Sequence, residues 1–444
     1  MHSRIIDFGL IGFDKRDGDA CLMHPPQWLY KNGKKSFWSI SFVPYKGAFG
    51  IANVLFPLYV AFIGGSLADI GLVVAAFNLA SIPGLILWGK LSDKSARRRI
   101  FIFFGFLTST IIFGMTAFAS TAGVLILINI LLGLLSTSCI PASSMLVIEL
   151  TPKPLWEKKI GSFNFVSGVG WTAGLFIASI FLIRLGLLYL FVLCALFCGI
   201  SSILAVFLLE EPPITFERHV LAFLIPRPGI REKLAFAPTL LFQLPRFFQY
   251  KFWRRLKYEL TNALPLYYVA TFIVFTAFFV AFLPFPLYLK TLGINDSLIF
   301  FIYVLNSIMS TVTHAITGKL AETLGRKKIF TTAISLRIFI FSFFAIFVLL
   351  FPQWAIFFVT LLFLIAGITW GIIAVSGSAL LTNIAPPERQ GNAFGMYNAT
   401  ISLATTIGSL LGGFLAFYVG FFLAFYIAAF IVGIGTAIII KIKF

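Results

Sequence analysis

Twelve apolar runs fix the kind of fold open to this chain. A bilayer core about 30 Å thick takes roughly 20 helical residues to cross. Runs of that length recur at 39–63, 70–89, 100–119, 122–148, 161–183, 187–209, 264–289, 298–317, 330–350, 355–381, 393–418 and 420–440. Turn residues separate them: Gly64-Gly65-Ser66, Ser120-Thr121, Thr151-Pro152, Phe351-Pro352-Gln353 and Ala385-Pro386-Pro387. Charged residues make up 11% of the chain, against about a quarter in soluble proteins. The spacing therefore predicts an all-α membrane protein of twelve transmembrane helices.

Lysine and arginine orient it. With the N-terminus inside, cytoplasmic segments hold 30 of the 34 basic residues; Arg184 and Lys290 fall outside, and Lys46 and Arg337 lie within spans. The formal charge of +18 is thus an orientation signal, and no nucleic-acid partner is expected. This organisation gives a cytosolic tail (1–38), a first six-helix half (39–209), a cytosolic linker (210–263), a second half (264–440) and a short cytosolic tail (441–444). The expected setting is the plasma membrane, multi-pass, with both termini cytoplasmic. Residues 1–36 lack the apolar core of a cleavable signal peptide. In the linker, Phe248, Phe252 and Leu256 recur every fourth residue among basic residues. That pattern suits either an amphipathic helix on anionic inner-leaflet lipid or a linker helix resting on the protein. Four cysteines, Cys21, Cys139, Cys194 and Cys198, make no disulfide or metal framework.

Two loops repeat. Gly89-Lys90-Leu91-Ser92-Asp93-Lys94-Ser95-Ala96-Arg97-Arg98-Arg99 returns 229 residues later as Gly318-Lys319-Leu320-Ala321-Glu322-Thr323-Leu324-Gly325-Arg326-Lys327-Lys328. At the same offset Phe56-Pro57-Leu58-Tyr59 returns as Phe285-Pro286-Leu287-Tyr288. The duplicated G-x-L-x-(D/E)-x-x-x-R-(R/K)-(R/K) pattern, after spans two and eight, resembles the cytoplasmic loop motif of the major facilitator superfamily. The resemblance covers residues 39–440. It implies two pseudo-symmetric six-helix halves related by an axis along the membrane normal.

The glycines are expected to end their helices where a neighbour comes close, and the acids to meet the positive end of another helix. By resemblance, Gly89, Asp93, Arg97, Arg98, Glu149, Gly318, Glu322, Gly325 and Arg326 form a conformational latch. Asp93 would meet the start of span eleven near Gly391 and Asn392, Arg97 would face Glu149, and Glu322 would reach span five near Gly161. Ala96 stands where the family has glycine, and Glu322 where it has aspartate. Gly170 and Gly174 in span five, and Gly408 and Gly412 in span eleven, are spaced for close helix packing. Gly168 to Gly174 is similar to a family antiporter motif, but its proline is missing.

Ionisable groups inside a membrane ordinarily mark ion pathways. None of the 16 acids lies mid-span, and Asn129 stands where many proton-coupled family members have arginine, so no buried carboxylate relay is expected. Lys46 is expected to snorkel to the inner interface, Arg337 to have a structural partner, and His314 to be a satisfied helix-end histidine. The resemblance lines a central cavity with spans one, four, seven and ten, helped by two, five, eight and eleven. Candidate substrate contacts are Asn53, Asn78, Tyr268, Asn306, Trp370 and Asn398, each equally suited to an interhelical hydrogen bond. Without a fixed cavity charge, a neutral or amphipathic small-molecule solute fits best. The expected protein is a monomeric secondary transporter without cofactor or metal, and not an enzyme. A sensor or scaffold without turnover is the main alternative; an exporter driven by proton antiport is less supported. No nucleotide-binding signature appears.

Overall fold

The computed structural model describes residues 37–95, 97–151, 156–209, 211, 263–385 and 390–442. Every regular element among them is helical. A 3-10 turn leads into α1 (Phe42–Phe62), followed by α2 (Leu67–Ser95), α3 (Arg98–Thr116), α4 (Ala122–Ser136), α5 (Cys139–Glu149), α6 (Trp156–Phe181) and α7 (Leu187–Leu208). The second half holds α8 (Ala263–Phe282), α9 (Phe285–Thr291), α10 (Asp296–Leu324), α11 (Arg326–Leu350), α12 (Ala355–Ile384) and α13 (Gln390–Lys441). The tail, most of the linker and its expected amphipathic helix lie outside the described residues. The end carrying Lys90, Arg98, Lys319 and Arg326 is termed the basic end, and the opposite one the far end.

Among the described residues, eleven helical runs are long and apolar enough to cross a membrane, and the last covers 49 residues. At 1.5 Å per residue that run is about 74 Å long, more than two bilayer cores. Gly420, at φ 83° and ψ 168°, breaks it. α13 is therefore spans eleven and twelve joined at one glycine, and twelve crossings result.

Two spans expected to be continuous are broken. Pro141 has no N–H to give to Thr137 and crowds that carbonyl, so span four divides into α4 and α5. The Thr137 carbonyl instead accepts the Ile140 N–H at 3.1 Å, and Thr137 Oγ1 donates back to the Gly133 carbonyl at 3.0 Å. Pro284 and Pro286 divide span seven into α8 and α9 in the same way. A further correction concerns the repeated motif. α2 runs on to Ser95 and α10 to Leu324, so neither Gly89 nor Gly318 ends its helix. Past the apolar run nothing stops the chain from completing two more turns in water.

The halves share hidden equivalences. Gly64 and Gly293, 229 residues apart, end the first span of each half with φ of 84° and 79°, values that favour glycine. Tyr59 donates its hydroxyl to the Ala119 carbonyl at 2.9 Å, tying span one to the end of span three. Its repeat, Tyr288, donates to the Phe344 carbonyl at 2.6 Å, tying span seven to span nine. In α6 and α13 the spaced glycines press on backbone. A Cβ at Gly174 would lie 2.3 Å from the Gly47 carbonyl oxygen, and one at Gly408 would lie 2.5 Å from that of Thr276.

Candidate functional site

The halves meet along two main seams, α2 against α13 and α6 against α10, and touch again where α1 meets α9. Towards the far end both are closed. A Cβ on Gly413 of α13 would lie 2.7 Å from the Leu67 carbonyl oxygen and 2.8 Å from Gly71 Cα of α2. On the other seam, Ser297 Oγ donates to the Ser179 carbonyl at 2.6 Å, and the Thr172 and Ser307 hydroxyls meet at 2.6 Å. Towards the basic end the same helices part: a Cβ at Gly161, Gly318 or Gly395 would meet nothing within 4 Å. Ser162, Asn164, Asn398 and Glu322 are exposed there.

The latch residues fall into two groups. Glu149, buried at the end of α5, pairs with Arg98 at 2.9 Å (Nη2 to Oε1), with a second contact from Arg98 Nε at 3.2 Å. Arg98 Nη1 reaches Ser92 Oγ at 2.7 Å. Arg97, expected opposite Glu149, is exposed instead. The reason is one residue of register. In the second half Gly325 alone, at φ 88°, separates α10 from α11. A residue with a side chain rarely takes that φ. The first half has Ala96 in the glycine position, and there α3 starts only at Arg98, after Arg97 in extended form at φ −106°, ψ 98°. Arg98 thus becomes the counterpart of Arg326, whose Nη1 donates to Asn383 Oδ1 at 2.9 Å at the end of α12. Arg99 donates to the Val206 carbonyl at the end of α7, and Lys327 donates to the Ile440 and Ile442 carbonyls at 3.0 and 2.6 Å. Each basic cluster thus ties together its own half.

Glu211, just past α7, was not singled out by sequence. Its carboxylate accepts the Arg98 and Arg99 N–H groups at 2.9 and 3.0 Å, capping α3 where anions suit the helix dipole. Glu322, exposed, makes no contact at Gly161, and the side chains of Asp93 and Asn392 lie outside the described residues.

Inside the opening, helical phase decides which polar residues face it. Asn53 is the one exposed residue from Phe42 to Val60. On α6, Asn164, Ser167 and Trp171 lie between the face on α1 (Gly170, Gly174) and the face on α10 (Gly168, Thr172). On α10, Ser310 and His314 lie between the α6-facing Ser307 and Thr311 and the α12-facing Asn306 and Thr313. His314 Nδ1 sits 2.6 Å from the Ser310 carbonyl. Asn398 faces the gap between α8 and α2. Asn78, seven residues after Gly71, follows the α13-facing stripe of α2. Tyr268 bridges α8 and α13 by donating to the Ala393 carbonyl at 3.2 Å. Trp370 packs its ring 5.9 Å from that of Phe275. Asn306 turns away and donates to the Phe363 carbonyl at 2.6 Å, because an amide within lipid depth takes the nearest free acceptor. Ser167 and Trp171 were legible only as an i, i+3, i+7 stripe running on from Asn164.

Arg337 is buried in the second half. It donates to the Ala366 carbonyl at 2.6 Å, and its guanidinium carbon lies 4.9 Å from the ring centroids of both Phe278 and Phe282. Nε and Nη1 have no partner among the described residues.

Two helical halves meeting at glycine seams, with a polar-lined opening between them, define a polytopic transporter fold. Known proteins agree. The profile of the Major Facilitator Superfamily matches residues 39–374 and again 270–443. An "uncharacterized MFS-type transporter" of Methanocaldococcus jannaschii is 24% identical over 390 residues, covering 85% of this chain and 90% of the relative. Among solved structures, a variant of the nucleoside transporter NupG superposes with a TM-score of 0.69 at 14% identity, covering 93% of this chain and all of the other. A D-xylose–proton symporter gives 0.67 at 17%, covering 92% and 98%. At such identities the structures speak for the fold alone. The chain belongs to the major facilitator superfamily and is a multi-pass membrane protein of the MFS transporter type.

Proposed function

We propose that this chain is a secondary transporter moving a small amphipathic solute across the plasma membrane by alternating access. The basic end and both termini face the cytoplasm, and the protein works as a monomer. The observation that carries this reading is the asymmetry of the seams: backbone-tight at the far end, parted at the basic end. That is the arrangement of a cytoplasm-open state. Closure would bring Glu322 towards Gly161 and Asp93 towards the start of α13, so the latch holds the opposite state. The positive-inside pattern supports the orientation. The absence of acids from the spans speaks against a carboxylate proton relay.

Purified protein screened by thermal shift against sugars, nucleosides, peptides and amphipathic compounds should reveal a binder by mass action. Counterflow of that binder in proteoliposomes then tests transport. Binding without flux would leave a sensor as the better reading.

A further inference from the structure

We infer that Lys46 is the anion-recognising residue of the cavity, and that the solute carries a carboxylate or phosphate on an apolar body. This rests on the transporter reading above and names the substrate class of the same opening.

The inference begins with the phase of α1. Gly47 and Gly50 face α6, where Cβ atoms would lie 3.1 Å from the Gly170 carbonyl oxygen and 2.8 Å from that of Trp171. Ala48 faces α7, its carbonyl accepting from Cys194 Sγ at 3.4 Å. Tyr45 and Phe49 face α2 and α3, their rings 4.6 Å from Phe106 and 6.2 Å from Phe77. At 100° per residue the remaining sector, between α6 and α2, holds Lys46 and, two turns on, Asn53. That sector looks at the second half. Lys46 therefore does not snorkel along lipid to the interface. It is half-buried.

Lys46 also lacks a counter-ion. Among the described residues its ammonium makes no salt bridge or hydrogen bond. The acids described there sit at helix ends, with Glu149 committed to Arg98 and Glu211 to the start of α3. An ammonium at this depth has three donors and is costly to leave without a partner. His314 lies nearer the basic end: it is about 5 Å inside the end of its apolar run, and Lys46 about 10 Å inside the start of its own. In the second half, Phe275 and Trp370 pack ring on ring 5.9 Å apart, and Tyr268 bridges α8 and α13. The first-half wall thus offers the ammonium of Lys46 and the amide of Asn53, and the second half adds aromatic rings beside Ser310 and His314.

The test is binding, read apart from flux. Wild type, K46M and K46R are compared by thermal shift and titration with octanoate, benzoate and inorganic phosphate, each against an uncharged control (octanol, benzamide, glycerol). The expected result is stabilisation of wild type and K46R by at least one anion, and not by its control. In K46M that affinity should fall by about 10- to 100-fold, the worth of a charge-assisted hydrogen bond. Among the described residues Lys46 makes no ion pair, so K46M should fold; its unliganded melting temperature checks this. Equal stabilisation by anion and control, unchanged affinity in K46M, or no shift with any anion overturns the inference. Lys46-dependent binding without counterflow would instead refute transport and leave the anion site standing. Counterflow of an uncharged solute unaffected by K46M would do the reverse.

Discussion

The seam at Gly71 and Gly413 gives the sharpest handle on mechanism. Gly413→Ala adds one methyl group whose carbon would sit 2.7 Å from the Leu67 carbonyl oxygen and 2.8 Å from Gly71 Cα. Ordinary contact begins near 3.5 Å, so the shortfall is about 0.7 to 0.8 Å. Both neighbours are backbone, so no side chain can swing aside and the helices must part. Overpacking of this kind costs about 1–3 kcal/mol. The cost falls only on the state in which this seam is closed, whereas the gain in helix propensity is common to both states. The far-end-closed population should drop by about 5- to 150-fold relative to the other. Spin labels at Ser162 and Thr323, exposed on opposite halves at the basic end, read this as a distance by electron–electron resonance, with Cys21 replaced by serine. Cys139, Cys194 and Cys198 are buried and should stay unlabelled. The distribution should shift to shorter distances in Gly413→Ala. Adding Gly161→Ala, at a position open here but facing α10 on closure, should move it back. An unchanged distribution in Gly413→Ala, or both substitutions shifting it the same way, would refute the reasoning.

Three further outcomes are expected. Breaking the buried Arg98–Glu149 pair with Arg98→Gln or Glu149→Gln should each cost about 3–5 kcal/mol, seen as a lower melting temperature in detergent. A double-mutant cycle should return most of it as coupling. Tyr59→Phe and Tyr288→Phe should each lose about 1 kcal/mol, adding independently because the bonds lie in separate halves; strong non-additivity would place them in one network. Arg337→Met should stay within about 2 kcal/mol of wild type, since one hydrogen bond and two ring contacts roughly offset the burial of a charge with open donors. A loss above about 4 kcal/mol would point to a counter-ion supplied by residues beyond the described ones.

Much of the fold could be read from the chain because length and charge act locally. Each apolar run is its own evidence for a crossing, and the 229-residue repeat tied Gly89 to Gly318 and Tyr59 to Tyr288. What escaped depends on neighbours. Pro141 and Pro284 could have warned of the broken spans. The slip that gives Glu149 to Arg98 follows from Ala96 in a glycine's place, a substitution visible in sequence but silent until both turns are compared. Cavity facing was the least legible. Asn53 and Asn306 are both amides in apolar runs, and only the packing of α1 and α10 separates one that meets the opening from one that bonds a carbonyl. Lys46 is the same kind of case: distance along a helix says how deep a residue sits and nothing about which way it points.

Glu211 carries a mechanical consequence. Its carboxylate grips two N–H groups at the head of α3, so the 51 residues between it and Ala263 begin at a mooring and not at a loose end. A pull on the chain at Glu211 would therefore be felt first at the knot of Arg98, Glu149 and Ser92, which joins the end of α2, the head of α3 and the end of α5.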